Sequence, residues 1–199
     1  MSPTYSAMQL DALREIANIG SGTAGTALSS LLGRSVDLNV PSVRALPLAE
    51  AVDAIGDAQA EVTAVVIPIF GDMDAVVVLL FAPEAADTLC ALLGVEATSD
   101  VGRSALSEIG NILGTTYVGS IESMTGLQLE PRPPQALTDM LGAIVASVLS
   151  VVSGAGDVAL VMDSALEVEG EACSLSFVLI PSDQGVTDLL TRLGMGPEA

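Results

Sequence analysis

The chain has 199 residues, and half of them are apolar, which is enough to bury a substantial core. It carries 25 acidic residues against 6 basic ones, all of them arginine, for a net charge of -19. Such a charge repels a phosphate backbone, so the composition argues against nucleic acid as a partner and indicates an acidic surface of the kind that a halophile's salty cytoplasm screens.

Cysteine and histidine usage argues against a metal site. The chain has no histidine, and its two cysteines, Cys90 and Cys173, lie in apolar surroundings, so we expect buried thiols and no bound metal or other cofactor. The N-terminus lacks the basic and apolar regions of a signal peptide, and the longest uncharged run falls short of the ~20 apolar residues of a membrane helix. These patterns predict a soluble, cytoplasmic protein with no membrane insertion.

A long helix opens the chain. Ser6 and Gln9 have the spacing of a capping box, and the helical pattern runs to Leu32, where Gly33 ends it. The helical period predicts a core-facing set of apolar residues: Leu13, Ile16, Ala17, Ala24, Ala27 and Leu31. It also predicts a solvent-facing set of polar and small residues: Asp11, Glu15, Asn18, Gly22 and Ser29.

The rest of the first half alternates between extended and helical patterns. An extended run over 35–41 ends at a proline, and a short helix follows over 47–55. Two strands, 61–70 and 75–81, flank a tight turn. A helix over 83–93 then begins with a proline and is followed by a glycine.

The second half repeats the first at a shift of 93 residues. The shift aligns identical residues: Leu13 with Leu106, Glu15 with Glu108, Asn18 with Asn111, Gly33 with Gly126 and Pro41 with Pro134. The second long helix has a predicted core side of Leu106, Ile109, Leu113, Tyr117 and Met124. Its predicted solvent side is Ser104, Glu108, Asn111, Thr115 and Glu122. An extended run over 127–134, a helix over 139–152, strands over 158–168 and 172–180, and a helix over 181–193 complete the repeat.

These elements predict an α+β fold with the layers of an α/β sandwich. Two or three strands per repeat cannot form a stable sheet alone, so we expect the two repeats, about 1–95 and 96–199, to share one sheet. The prediction is a single domain in which tandem repeats, related by a pseudo-twofold axis, build a largely antiparallel sheet of about six strands flanked by long helices.

A glutamate and an asparagine recur three residues apart on both predicted solvent-facing sides. This spacing puts both side chains on one helix face. The glutamate offers a negative charge for an ammonium group, and the asparagine amide can orient a water molecule because it both donates and accepts hydrogen bonds. The predicted solvent-facing sides carry no general base or strong nucleophile, so hydrolysis by this chain alone is disfavoured. They can still position a water on an activated acyl phosphate that another protein holds. A single Glu/Asn residue pair on an exposed helix is more often part of a solvated surface without a function.

Both helices match the pattern [Asp/Ser]-x3-Glu-x2-Asn-x22-Pro. The two copies consist of these residues: Asp11, Glu15, Asn18 and Pro41 in the first, and Ser104, Glu108, Asn111 and Pro134 in the second. Four positions recurring at identical spacing form a specific signal. The pattern resembles that of the CheC/CheX/FliY family of chemotaxis phosphatases, and the resemblance covers essentially the whole chain.

The resemblance implies a CheC-like fold and a phosphatase that acts on the phosphorylated response regulator CheY (CheY-P). In such a protein Glu15 and Glu108 would pair with the active-site lysine of CheY. Asn18 and Asn111 would place the water that attacks the aspartyl phosphate. The Mg²⁺ would belong to CheY.

Two intact motifs resemble CheC-type members more than CheX, which has one functional motif per chain, or FliY, which continues into a further C-terminal domain. The resemblance therefore implies a second partner, the receptor-modifying deamidase CheD, and we expect a monomer or a weak dimer. Two alternatives stay open: a non-catalytic adaptor that binds CheY-P, and a subunit whose main role is to regulate CheD. The asparagine in both copies favours the phosphatase, because an adaptor needs no water-orienting amide.

Overall fold

The computed structural model describes residues 5–151, 158–169, 171–182 and 184–196. Along these residues helices and strands follow in the order α1 (Ala7–Leu32), β1 (Val36–Pro47), α2 (Leu48–Ile55), β2 (Glu61–Gly71), β3 (Ala75–Phe81), α3 (Pro83–Leu92), α4 (Asp100–Thr125), β4 (Leu129–Pro131), β5 (Gln135–Met140), α5 (Leu141–Val151), β6 (Val158–Val168), β7 (Glu171–Pro181) and α6 (Gly185–Arg192). None of these described helices has both the length and the hydropathy needed to span a bilayer.

The two long helices begin and end at equivalent residues. Ser6 caps α1 in the predicted capping box, since its Oγ accepts from the Gln9 N–H while its own N–H donates to Gln9 Oε1. Ser99, 93 residues later, caps α4 through the Gly102 N–H. Gly33 and Gly126 end the helices with φ of 64° and 72°, a left-handed conformation that glycine adopts without a steric penalty.

A single antiparallel sheet joins the two repeats. Its strand order is β1-β6-β7-β3-β2-β4, and β5 also pairs with β2. The described sheet has seven strands where the sequence predicted about six, because the chain around the second motif proline forms the separate strands β4 and β5. The α+β class and the shared antiparallel sheet are as predicted.

The repeats exchange their outer strands. β1 of the first repeat pairs with β6 of the second, and β4 and β5 of the second repeat pair with β2 of the first. The two inner strands β3 and β7 meet at the centre. Each repeat therefore completes the half of the sheet that the other begins, which is the arrangement that a pseudo-twofold axis between β3 and β7 produces.

Helices cover both faces of the sheet. The larger core lies beneath α1, α3, α4 and α6, and a smaller apolar cluster lies beneath α2 and α5 on the opposite face. The central strand β3 is buried along its whole length, with Val77 and Leu79 in the larger core and Val78 in the smaller cluster. The helix cover explains why this strand has a continuous apolar sequence without polar alternation.

The predicted core face of the long helices is right at their beginnings and wrong near their ends. Leu31 and Met124 were expected in the core, but they are 37% and 45% exposed, while Leu28 is fully buried. Ala27 is half-buried. The buried side rotates because the last turns lie against the following strand: a Cβ on Gly25 would stand 3.3 Å from the Val36 carbonyl oxygen.

Two side chains expected in solvent instead hold that following strand. Ser29 Oγ accepts a 3.0 Å hydrogen bond from the Val36 N–H, and Glu122 Oε1 accepts a 2.9 Å bond from the Leu129 N–H. Both pairs occupy equivalent positions in the repeats, since Ser29 aligns with Glu122 and Val36 with Leu129. The side-chain type changed between the repeats, but the bond is the same.

Three predicted boundaries shift. β1 continues past Pro41 to Pro47, and α5 starts at Leu141 because the two preceding predicted helical residues belong to β5. Residue 152, the predicted end of that helix, lies outside the described residues. Pro181 closes β7 opposite Ala75 and does not open α6, whereas Pro83 does open α3 as predicted. The two cysteines are buried free thiols, as expected.

Candidate functional site

The first motif lies on the exposed side of α1 where this helix borders β1. Glu15 is exposed, and no ion pair joins it to any described residue. Asn18, one turn later, is half-buried. Asp11 is exposed and pairs with Arg14 at 3.0 Å, an interaction within the helix that contributes little in solvent. The glutamate carboxylate is therefore available to a partner, but the asparagine is closer to the protein than the solvent-facing position predicted for it.

Asn18 makes two hydrogen bonds to one residue of β1. Its Oδ1 accepts from the Val40 N–H at 2.8 Å, and its Nδ2 donates to the Val40 carbonyl at 3.2 Å. Val40 is 1% exposed, so its peptide groups need partners inside the protein. We refer to these two bonds as the Asn18–Val40 pair.

A β-bulge explains why the Val40 peptide is available. Asn39 pairs with Ala165 and Ser42 pairs with Asp163, so two residues of β1, Val40 and Pro41, lie opposite a single residue of β6. Such an interruption leaves ladder groups unpaired, and a proline is tolerated there because its missing N–H is not needed. The motif asparagine and the motif proline therefore belong to one structural feature of the first repeat.

The second motif lies at the equivalent place on α4. Glu108 is exposed, and no ion pair joins it to any described residue. Asn111 is half-buried like Asn18, but within the described part of the chain its side-chain amide has no hydrogen-bond partner. Ser104 is exposed, as predicted. Both hydrogen-bonding groups of the Asn111 amide are therefore free for an incoming molecule.

Proline chemistry accounts for one of the two hydrogen bonds by which the asparagines differ. The residue that corresponds to Val40 in the second repeat is Pro133, directly before the motif residue Pro134. The outer strand is interrupted here, because Pro131 of β4 pairs with Ile69 and Gln135 of β5 pairs with Val66, which leaves residues 132–134 between the two strands. Pro133 has no N–H, so the stronger bond of the Asn18–Val40 pair cannot form around Asn111.

Sequence reasoning missed the residue before each motif proline. Val40 and Pro133 are apolar and belong to no motif that binds or catalyses by itself. The available signal was the difference between the repeats directly before the aligned motif prolines: the first repeat has valine there, which has an N–H, and the second has proline, which has none. Its meaning depends on the contact between helix and strand, which the sequence did not reveal.

Burial raises the pKa of groups in the core beneath the site. Tyr117 of α4 contacts Ser21 of α1 through a 2.9 Å hydrogen bond, and burial raises the pKa of its hydroxyl, an effect that this bond partly offsets. Burial also raises the pKa of the Cys90 and Cys173 thiols. These groups form the core under the helices and do not reach the exposed glutamates. Among the described residues no cluster of three or more histidine, cysteine or acidic side chains could hold a metal ion.

Comparison with known proteins identifies the family. A profile described as the CheC-like family matches residues 8–44 and 101–137, so each boundary of the second match lies 93 residues after its counterpart. The CheY-P phosphatase CheC of Bacillus subtilis is 32% identical to this chain over 196 residues, and the alignment covers 94% of each protein. The chain belongs to the CheC-like family. Both matched segments of this CheC-like protein contain a Glu/Asn pair and the motif proline that follows it.

Solved structures share the CheC-like fold. FliY of Thermotoga maritima matches with a TM-score of 0.76 at 19% identity, covering 96% of this chain and 98% of that one. The CheX-CheY-BeF3-Mg²⁺ complex from Borrelia burgdorferi contains a more distant match, with a TM-score of 0.50 at 12% identity over 84% of this chain and 96% of that one. At these identities the likeness concerns the fold.

Proposed function

We propose that this CheC-like protein hydrolyses the aspartyl phosphate of a CheY-type response regulator. The observation that carries the proposal is the pair Glu108 and Asn111 on α4: both side chains reach solvent, and neither is engaged by the described residues around it. A homologue that is a CheY-P phosphatase, 32% identical over nearly the full length, supports the choice of substrate.

In this mechanism the regulator supplies the activated aspartyl phosphate, and this chain positions the water that attacks it. The carboxylate of Glu108 pairs with a lysine of the regulator and fixes the docked orientation. Asn111 then holds a water in line with the phosphorus atom by accepting one of its protons in a hydrogen bond. The water oxygen forms a bond to phosphorus as the bond from phosphorus to the aspartate oxygen breaks, so the electron pair returns to the carboxylate and the water proton leaves with the phosphate or to solvent.

Glu15 and Asn18 are proposed to act in the same way on a second regulator molecule. The regulator would hold the Mg²⁺ that neutralises charge on the phosphoryl oxygens, so this chain needs no ligand set of its own. CheD as a further partner stays a prediction from the family resemblance.

One observation favours the adaptor alternative for the first repeat. The Asn18 amide is already engaged by Val40, so this site can dock a regulator through Glu15 without presenting a free amide to water. An adaptor would bind phosphorylated regulator without shortening the lifetime of its phosphate.

Measurement of phosphate lifetime separates the two functions. The cognate regulator is labelled with radioactive phosphate, and its decay is followed with wild-type protein and with the double variant Asn18→Ala/Asn111→Ala, in molar salt to screen the net charge of -19. We expect the double variant to lose the acceleration while it still binds the regulator carrying beryllofluoride. Gln59→Ala, which removes an exposed amide in the loop before β2, is the matched control and should act as wild type. If the phosphate decays as fast with the double variant as with the wild type, the phosphatase function is refuted and the adaptor function remains.

A further inference from the structure

The two Glu/Asn sites differ in the state of their asparagines, and we propose that the residue before each motif proline determines this state. With Pro133 as its neighbour, the Asn111 amide is free to hold a water. The Asn18 amide is hydrogen-bonded to Val40, and both bonds must break before Asn18 can hold a water in the same way. The inference rests on the proposed function, because it assigns unequal shares of that reaction to the two sites.

The contact with Val40 holds the Asn18 amide in one orientation. A side-chain amide oxygen has two lone pairs and its nitrogen two protons, but the bidentate contact with the N–H and the carbonyl of one residue fixes the plane and rotation of the whole group. The 2.8 Å and 3.2 Å bonds go to a residue that is 1% exposed, so the Val40 peptide has no water to replace Asn18. Release of Asn18 therefore leaves a buried N–H and a buried carbonyl without partners.

One of the two bonds, the one donated by the strand N–H, is absent around Asn111 for a covalent reason. The proline at position 133 cannot donate, whatever the distance between α4 and the outer strand. The surroundings of the two residues differ as well, because Val40 lies buried inside the continuous strand β1, whereas Pro133 lies exposed between β4 and β5.

Each long helix is joined to the strand that follows it by a hydrogen bond at an equivalent place in the two repeats. The bond from the strand to the last turn of the helix forms in both, at 3.0 Å to Ser29 and at 2.9 Å to Glu122. A general displacement of the second strand from its helix would have removed that bond too. The difference between the two asparagines therefore lies farther along the strand, at the residue before the motif proline.

Single variants test the inequality. Breaking two hydrogen bonds to a buried peptide disfavours the open state of Asn18 by on the order of tenfold or more. We therefore expect Asn111→Ala to lose about nine-tenths of the phosphatase activity and Asn18→Ala to keep about nine-tenths. Equal losses in the two single variants would overturn the inference but leave the proposed function intact, provided that the double variant is inactive.

A gain of the missing N–H tests the cause. In the Asn18→Ala background only the second site remains, and Pro133→Val or Pro133→Ala supplies an N–H to Asn111 at an exposed position, so the fold is not at risk. We expect kcat to fall about tenfold while KM for the phosphorylated regulator stays unchanged, because Glu108 still docks it. Pro131→Ala is the matched control: it removes an exposed proline from the same outer strand without adding a donor beside Asn111. If the Pro133 variants behave like the Pro131 variant, the inference is wrong.

Proton exchange of the side-chain amides gives a readout independent of activity. In the wild-type protein the NH2 group of Asn18 should exchange with solvent at least severalfold more slowly than that of Asn111, and Pro133→Val should slow Asn111. Equal exchange of the two groups in the wild type would contradict the proposal even if the protein is a phosphatase.

Discussion

Asn18 and Val40 are joined by two hydrogen bonds, 2.8 Å and 3.2 Å long, that tie the middle of α1 to a bulge in the outer strand β1. The same asparagine belongs to the motif proposed to orient water. In the first repeat one side chain therefore makes a structural contact that competes with its proposed chemistry. In the second repeat the partner position is a proline, which has no N–H to donate.

Replacement of Asn18 should destabilise the fold. Asn18→Ala leaves the buried N–H and carbonyl of Val40 without partners, so we expect the free energy of unfolding to fall by about 1–3 kcal/mol. Chemical denaturation followed by circular dichroism measures this change. Asn111→Ala is the control and should shift the free energy by less than about 0.5 kcal/mol. A loss of equal size in both variants would show that the two asparagines have the same structural role.

Close packing of α4 on β2 should make Gly110 intolerant of any side chain. A Cβ at Gly110 would lie 2.6 Å from the Val65 Cβ, which is fully buried, so Gly110→Ala must displace the helix and should cost about 1–3 kcal/mol. Gly119, on the exposed side of the same helix, has open space where a Cβ would stand, with no atom within 4 Å, and its change to alanine should stabilise by about 0.5–1 kcal/mol. Thermal unfolding of the two variants should shift in opposite directions, and two shifts of the same sign would refute the packing argument.

The hydrogen bond between Tyr117 and Ser21 should couple the two long helices. Ser21 Oγ donates its proton to the Ala17 carbonyl at 2.9 Å, so Tyr117 is the donor in the bond between the two hydroxyls. Tyr117→Phe keeps the ring against Phe177, with centroids 4.3 Å apart, and should cost about 1 kcal/mol. A double-mutant cycle with Ser21→Ala should give a coupling energy of about 0.5–1.5 kcal/mol. Strict additivity would mean that the bond does not stabilise the helix pair.

Alkaline pH should weaken the fold. Burial raises the pKa of the Cys90 and Cys173 thiols above their ordinary 9.0 and that of Tyr117 above its ordinary 10.0. Between the unfolded and folded pKa the native state binds more protons than the unfolded state, so the free energy of unfolding is unaffected below about pH 8 and falls as the pH rises through about 9 to 11. Denaturation midpoints over this interval measure the fall. Tyr117→Phe should flatten its upper part, and an unchanged slope would exclude Tyr117 as a source.

The exchange of outer strands predicts that the repeats do not fold apart. Residues 1–95 lack the β6 partner of β1, and residues 96–199 lack the β2 partner of β4 and β5. We expect each half alone to lack cooperative unfolding and the whole chain to unfold in one transition, as a single domain does. Denaturation curves of the three proteins provide the test. A half that unfolds cooperatively by itself would contradict the prediction.

The sequence alone predicted the features that depend on nearby residues. The ends of α1 follow from Ser6 and Gly33, because a cap bonds to residues one turn away and a left-handed glycine needs no partner. Gly126, which aligns with Gly33, ends α4 in the same way. The strands β2 and β3 follow from continuous apolar runs on either side of a turn. The internal repeat and the Glu/Asn motifs also needed only comparison of the chain with itself.

Tertiary structure decided the features that depend on contacts across the chain. The sequence could not show that β1 pairs with a strand more than a hundred residues away, or that the helix ends would turn Leu31 and Met124 outward as they meet the next strand. Nor could it show that Val40 occupies Asn18, because that bond requires a bulge in β1 opposite β6 and the placement of α1 beside it. Local patterns predict helices because helical bonds join residues one turn apart, and they predict strands from runs of apolar residues. The state of a side chain at a helix–strand boundary depends instead on which backbone groups the packed sheet leaves unpaired.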